Sequence, residues 1–143
     1  MNSVIMQALQ TLLGLKNDQG EPMNEGAAQF LLMTPVSLLG DAASAIGSQF
    51  MSNGSGNPLL ALNEFKFGVV ANPRLTATDK VYLFRTDGSV RPFIRQEEVP
   101  VEVSAIAEGS ELEFKHRKHE YGLYASGNAG YGLWQHAVQA TMT

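Results

Sequence analysis

The sequence predicts an α+β fold, with helices first and strands after. Three observations carry this. Apolar residues recur at three- and four-residue spacing in two stretches of the first third of the chain, short β-type runs fill the remainder, and those runs are separated by turn clusters rather than by further helices.

Val4, Ile5, Ala8, Leu9, Leu12 and Leu13 form an apolar stripe on one face of a first helix, which should end at the turn cluster Asn17-Asp18-Gln19-Gly20. Phe30 to Met33 reads as a buried strand. Thr34-Pro35 then offers a capping oxygen and a proline to start a second helix, whose stripe is Leu38, Leu39, Ala42, Ala43, Ile46 and Phe50. Asn53-Gly-Ser-Gly-Asn-Pro58 reads as an exposed loop, a tip at an assembly surface. The strand expectations that follow are Phe65–Val70, Val81–Phe84, Val90–Ile94, Val99–Ile106, Leu112–Tyr124 and Tyr131–Val138, with Asp87-Gly88 as the strongest hairpin signal. No internal repeat or low-complexity segment is visible.

The chain's 143 residues suit one domain, or a small domain with a strip of a second, and 44% hydrophobic with 17% charged residues lies well away from disordered compositions. There are no cysteines, so disulfides, zinc-thiolate sites and a cysteine nucleophile are excluded. The first basic residue is Lys16, and no apolar run reaches the roughly 18 residues of a membrane span, which reads as a soluble, cytoplasmic chain without a secretory leader. Residues 1 to 65 carry one base and five acids, 1 − 5 = −4, while the rest balances nine against nine. No basic face is declared, which argues against nucleic-acid binding as the main task.

Constellations that suggest chemistry are weak. His116 and His119 would point to opposite faces of a strand, so they do not form a metal pair. Ser55 and Ser126 sit in no nucleophile elbow, and Ser126 with His136 lacks an orienting acid. Gly127-Asn-Ala-Gly-Tyr-Gly132 reverses the dinucleotide fingerprint and lacks the Lys-Ser/Thr of a phosphate loop. Glu97-Glu98 reads as a solvated turn before Pro100. No catalytic, cofactor-binding or metal residue is therefore assigned, and no cofactor is expected.

The segment Tyr121 to Ala137 alternates aromatics and glycines with almost no charge, and reads as a buried or shared β segment. Tyr121, Tyr124, Gly127, Gly130, Tyr131, Gly132 and Trp134 are its structural or interface residues. If Trp134 is core, Trp134→Ala should cost about 3 to 5 kcal/mol. The alternative function from another class is a small non-enzymatic module whose β face binds a peptide or single-stranded nucleic acid, with the aromatics as a stacking platform.

Several segments in order resemble the Mu-like prophage major head subunit family, which are bacteriophage major capsid proteins. They are Lys16 to Gly20, Phe30 to Ala43, Asn57-Pro58, Val69-Val70-x-x-Pro73-x-Leu75, Tyr82-Leu83-Phe84, Arg91-Pro92-Phe93-Ile94, and Tyr121-Gly122 followed by Gly127-Asn-Ala-Gly-Tyr-Gly-Leu-Trp-Gln135. The last is the most specific. The family pattern often has Arg before that run, where this chain has Ser126.

The resemblance implies a Hong Kong 97-like phage capsid fold, with residues 1–97 as an axial-type α+β domain of two helices and a mixed sheet. Residues 98–143 would be β strands returning to a peripheral-type domain. The family's N-terminal arm, extended loop and long spine helix are expected to be missing, so that the chain alone forms monomers or small oligomers rather than closed shells. It further implies a non-enzymatic head subunit whose partners are copies of itself in pentameric and hexameric capsomers, with other head proteins possible. No specific nucleic-acid sequence and no membrane are implied. The protein would reside in the virion capsid, and in the bacterial host's cytoplasm before assembly.

Overall fold

A computed structural model describes residues 1–51 and 53–142. The chain separates into two compact units, one made of residues 1–92 and 132–143, the other of residues 93–131. The boundaries differ from the single division expected at residue 97. The last strand pairs back into the first sheet, so the C-terminal segment belongs with the N-terminal unit.

The first unit is mixed α+β, as the sequence predicts. Helix α1 (Asn2–Leu13) buries Ile5, Ala8, Leu9 and Leu12, the stripe expected from the 3.6-residue period. Gly20 closes the following turn at φ +83°, a left-handed geometry that glycine adopts without strain. Strand β1 (Gln29–Thr34) follows, and a 3₁₀ turn (Val36–Leu38) leads into α2 (Leu39–Gly47). Thr34 is not the cap expected of it, because it is buried at the strand end and its hydroxyl has no hydrogen-bond partner. α2 ends at Gly47, so Phe50 falls outside the helix and is exposed, while Ala42 and Ala45 form the buried face.

Asn57 is the residue that turns the chain here. Its Nδ2 donates to the carbonyls of Ala45 (2.7 Å) and Ser48 (2.8 Å), partners that the C-terminus of α2 lacks within itself. Its Oδ1 accepts from the Leu59 N–H (3.1 Å) as the N-cap of α3 (Pro58–Ala61), with Pro58 at the first helical position. The exposed-loop expectation therefore holds for residues 53–56 but not for Asn57, which is buried.

Strands β2 (Lys66–Ala71), β3 (Lys80–Arg85) and β6 (Ala137–Thr141) complete a four-stranded sheet of order β2-β1-β3-β6. β1 and β2 are parallel, joined through α2 and α3, and the other two pairings are antiparallel. Register places Val69, Leu32, Leu83 and Val138 side by side across all four strands. One face of the sheet and both helix stripes meet in a single core, in which Phe30 stacks on Phe67 at 5.6 Å and meets Phe65 edge-on at 5.5 Å.

Asp87-Gly88 does not make a hairpin, since β3 pairs with β1 and β6. Asp87 instead fastens residues 23–28 to the sheet. Its carboxylate accepts from the Ala28 N–H (2.7 Å) and from Arg85 Nε (2.8 Å), and Arg85 NH1 also donates to Met23 O and Asn24 Oδ1. Burial alone would raise the Asp87 pKa, but the Ala28 N–H and the Arg85 guanidinium outweigh it and hold the carboxyl below its usual value.

A lowered folded-state pKa stabilises the fold above the unfolded carboxyl's pKa, near pH 4, and that contribution is lost as pH falls through the folded value. Asp87→Asn should therefore cost about 1 to 2 kcal/mol at neutral pH, with the gap to wild type narrowing below about pH 4. Urea denaturation of both proteins at pH 7 and pH 3 reads this directly. An equal gap at both pH values contradicts it.

Among the described residues, no helix is long and apolar enough to cross a membrane.

Candidate assembly interface

The second unit is a long two-stranded antiparallel ribbon. β4 (Phe93–Ile106) takes in the strand expected at Val99–Ile106 and only Phe93 and Ile94 of the one expected at Val90–Ile94, and it pairs with β5 (Glu120–Tyr131). Between them lies α4 (Glu111–His116), where the sequence had predicted continuous strand. The overlooked signal was Ser110-x-x-Glu113, a capping-box pattern. Ser110 Oγ accepts from the Glu113 N–H (3.2 Å), and Glu113 returns a carboxylate oxygen to the Gly109 N–H (2.8 Å). Arg117 ends the helix in the left-handed region at φ 52°.

The Gly109 N–H, and then His119 at 3.2 Å, hold the Glu113 carboxyl below its usual pKa. His116 ends α4 and His119 lies beyond it. Among the described residues, no three His, Asp or Glu side chains gather into a metal site.

The register of the ribbon determines what its faces carry. Pairing runs Phe93↔Tyr131 to Glu97↔Gly127, then Val99↔Ser126, then Glu102↔Tyr124 to Ile106↔Glu120. Each of the two register shifts inserts one extra residue on β4, with Pro100 inside the second. One bulge would exchange the faces of β4 relative to β5, since side chains alternate with period two. Two bulges on the same strand restore the match. One face therefore carries Phe93, Val103 and Ala105 beside Tyr121, Leu123, Ala125, Ala129 and Tyr131, interrupted only by the Arg95–Glu97 pair. The opposite face is mixed, with Gln96, Glu102, Ser104, Ser126 and Asn128 interspersed with Ile94, Val99, Ile106 and Tyr124.

The apolar face is open: Val103 is 69% exposed, Tyr121 and Leu123 are each 71% exposed, and Tyr131 is 86% exposed. The residues singled out in the sequence fall on both faces. Tyr121 lies opposite Ala105 on the apolar face, while Tyr124 lies opposite Glu102 on the mixed one. Tyr131 meets Phe93 with ring centroids 5.7 Å apart. Gly127 sits at the first bulge, where a Cβ would come within 2.9 Å of the Gln96 carbonyl oxygen, so the close strand approach there requires glycine. Gly130 lies opposite Ile94 with open space around it. Ser126 donates to Glu98 at 2.9 Å, placing a carboxylate where an arginine at 126 would find an ion-pair partner.

Gly132 and Trp134 belong to the first unit. The Gly132 N–H donates to Pro92 O (2.9 Å), closing the root from which the ribbon departs and to which it returns. Trp134 opens a 3₁₀ turn (Trp134–His136) and is 65% exposed, so truncating it leaves no core cavity and the cost expected of a core tryptophan does not apply. Its neighbours are buried instead. Gln135 O accepts from Asn24 Nδ2 (2.9 Å), and His136 Nδ1 donates to Val90 O (2.9 Å), its ring lying where a Cβ on Gly88 would sit 2.8 Å away. Nothing in the sequence distinguished these two from Trp134, because their burial depends on contacts with residues more than forty positions away.

The exposed aromatic segment is thus a surface rather than core. The family model described as Mu-like prophage major head subunit gpT matches residues 63–143, more than half of the chain, spanning β2, β3, the whole ribbon and β6. The segments upstream, including the resemblance noted between Lys16 and Ala43, lie outside that match. No curated protein and no solved structure matches the chain. With the family's most specific motif forming β5 and the turn after it, the chain belongs to the Mu-like prophage major head subunit gpT family, the structural proteins of bacteriophage capsids.

Proposed function

We propose that this chain acts by self-association as a shell-forming subunit and performs no reaction. The observation that carries this is the open apolar face of the ribbon. A two-stranded ribbon standing alone in water is marginally stable, and an exposed apolar strip along its length needs a partner surface. Repetition of such a contact between identical subunits closes a container.

In this reading the first unit is the axial-type domain of a Hong Kong 97-like capsid fold and the ribbon supplies strands of the peripheral-type domain. The full subunit forms pentameric and hexameric capsomers beside other head proteins, first in the host cytoplasm and then in the virion. The aromatic-platform alternative is disfavoured by charge. Residues 93–131 hold four Lys or Arg against seven Glu, 4 − 7 = −3, which repels a phosphate backbone.

Val103→Glu combined with Leu123→Glu places two carboxylates on the apolar face at a directly opposed pair. Self-association measured by sedimentation velocity should weaken by at least about tenfold, since the substitutions put charge into a desolvated contact. Circular dichroism should report an intact first unit. Unchanged association in the double variant would overturn the ribbon's role.

A further inference from the structure

We propose that the tip of the ribbon is a plug for a second copy of this chain, and that its socket is a methionine-lined depression on the first unit. The proposal rests on the shell-subunit reading and specifies one of its contacts. Phe114 on α4 is 90% exposed. α4 has only six residues and none of them is buried, so neither length nor a core maintains it. It is held by its caps and by the Glu111–Lys115 ion pair, a network that pre-orders the helix and presents Phe114 outward. Ile106, half exposed, borders the same tip.

The depression has a volume of about 290 Å³, and its wall is mixed: Met1, Met51, Met142 and Phe50 supply the apolar part, and Asn2, Asp41, Ser44 and Ser48 a larger polar part. That is roughly the space of ten waters at about 30 Å³ each, ample for one phenyl ring. Thioether side chains adapt their shape to an incoming aromatic and make favourable sulfur–ring contacts. Phe50, itself exposed, offers a second ring.

Charge agrees with this pairing. Arg117 and Lys118 lie just past the end of α4, three and four residues after Phe114, Asp41 lies on the socket, and among the described residues none of the three has an ion-pair partner. Plug and socket are different surfaces, so the contact is head-to-tail, the type that generates rings when the rotation closes.

The test is complementation in the 143-residue chain. Phe114→Ser removes the plug, and Ser44→Trp fills the socket from an exposed position on α2. Both sites are on the surface, so both variants should melt as wild type does. Each alone should self-associate at least about tenfold more weakly than wild type in sedimentation velocity. An equimolar mixture should recover a one-to-one complex, because the intact socket of one variant receives the intact plug of the other. Wild-type association in either variant, or a mixture that stays monomeric, overturns the plug-and-socket contact. If these variants associate normally while Val103→Glu/Leu123→Glu does not, this contact fails and the shell-subunit reading stands. A wild-type chain that remains monomeric at millimolar concentration overturns the plug-and-socket contact, since both halves of it lie in this chain, while the shell-subunit reading, which concerns the full subunit, stands.

Discussion

Leu83→Ala should lower the stability of the first unit by about 3 to 4 kcal/mol. Leu83 is 1% exposed on β3, flanked across the sheet by Leu32 and Val138, and it faces the core that also receives α1. Removing its side chain takes apolar area out of the core and leaves a cavity bounded by hydrogen-bonded strands that cannot close in. Urea denaturation followed by circular dichroism should show a lower midpoint with an unchanged slope. A loss under about 1 kcal/mol would mean that the strands collapse into the space and that the sheet is less constrained than its register implies.

Asn57→Ala should cost about 2 to 4 kcal/mol, from a polar residue in a segment that the sequence reads as loop. One side chain ends α2, caps α3 and accepts from Asn2 Nδ2 at 3.0 Å. Its loss leaves the buried N–H of Leu59 without this partner and the Ala45 carbonyl with only the longer bond from Asn2 Nδ2 (3.3 Å), and a buried group left unpaired costs more than the bond itself contributed. Asn57→Asp separates the two roles. Aspartate keeps the cap on α3 but turns acceptors toward the Ala45 and Ser48 carbonyls, so it should be about as destabilising as alanine. Wild-type stability in Asn57→Asp would show that the cap alone matters.

These two residues mark how far the chain is legible without its structure. The stripe of α1, the apolar run of β1 and the strands around Leu83 follow from periods of 3.6 and 2, which are local properties of the chain. Asn57-Pro58 carried a helix-start signal that a loop reading overrode, and Ser110-x-x-Glu113 carried another that strand-like alternation obscured. At the candidate interface, the aromatic and glycine residues of β5 were legible as a special β segment. Their exposure was not.

What the sequence by itself determined is therefore the α+β class, the helix stripes, most strands of the first sheet and, through the Tyr121–Gln135 motif, the head-subunit family. The tertiary structure alone decided that β6 returns to the first unit and that Asp87 is a fastener rather than a hairpin turn. It also decided that two bulges on β4 return the apolar residues of both strands to one open face, interrupted by the Arg95–Glu97 pair. The physical reason is that periodicity specifies which residues share a face, whereas burial and register depend on what lies opposite that face. Tyr121, Leu123 and Tyr131 have cross-strand neighbours on their own face of the ribbon, yet that face stays largely exposed, which no local pattern in the sequence specifies.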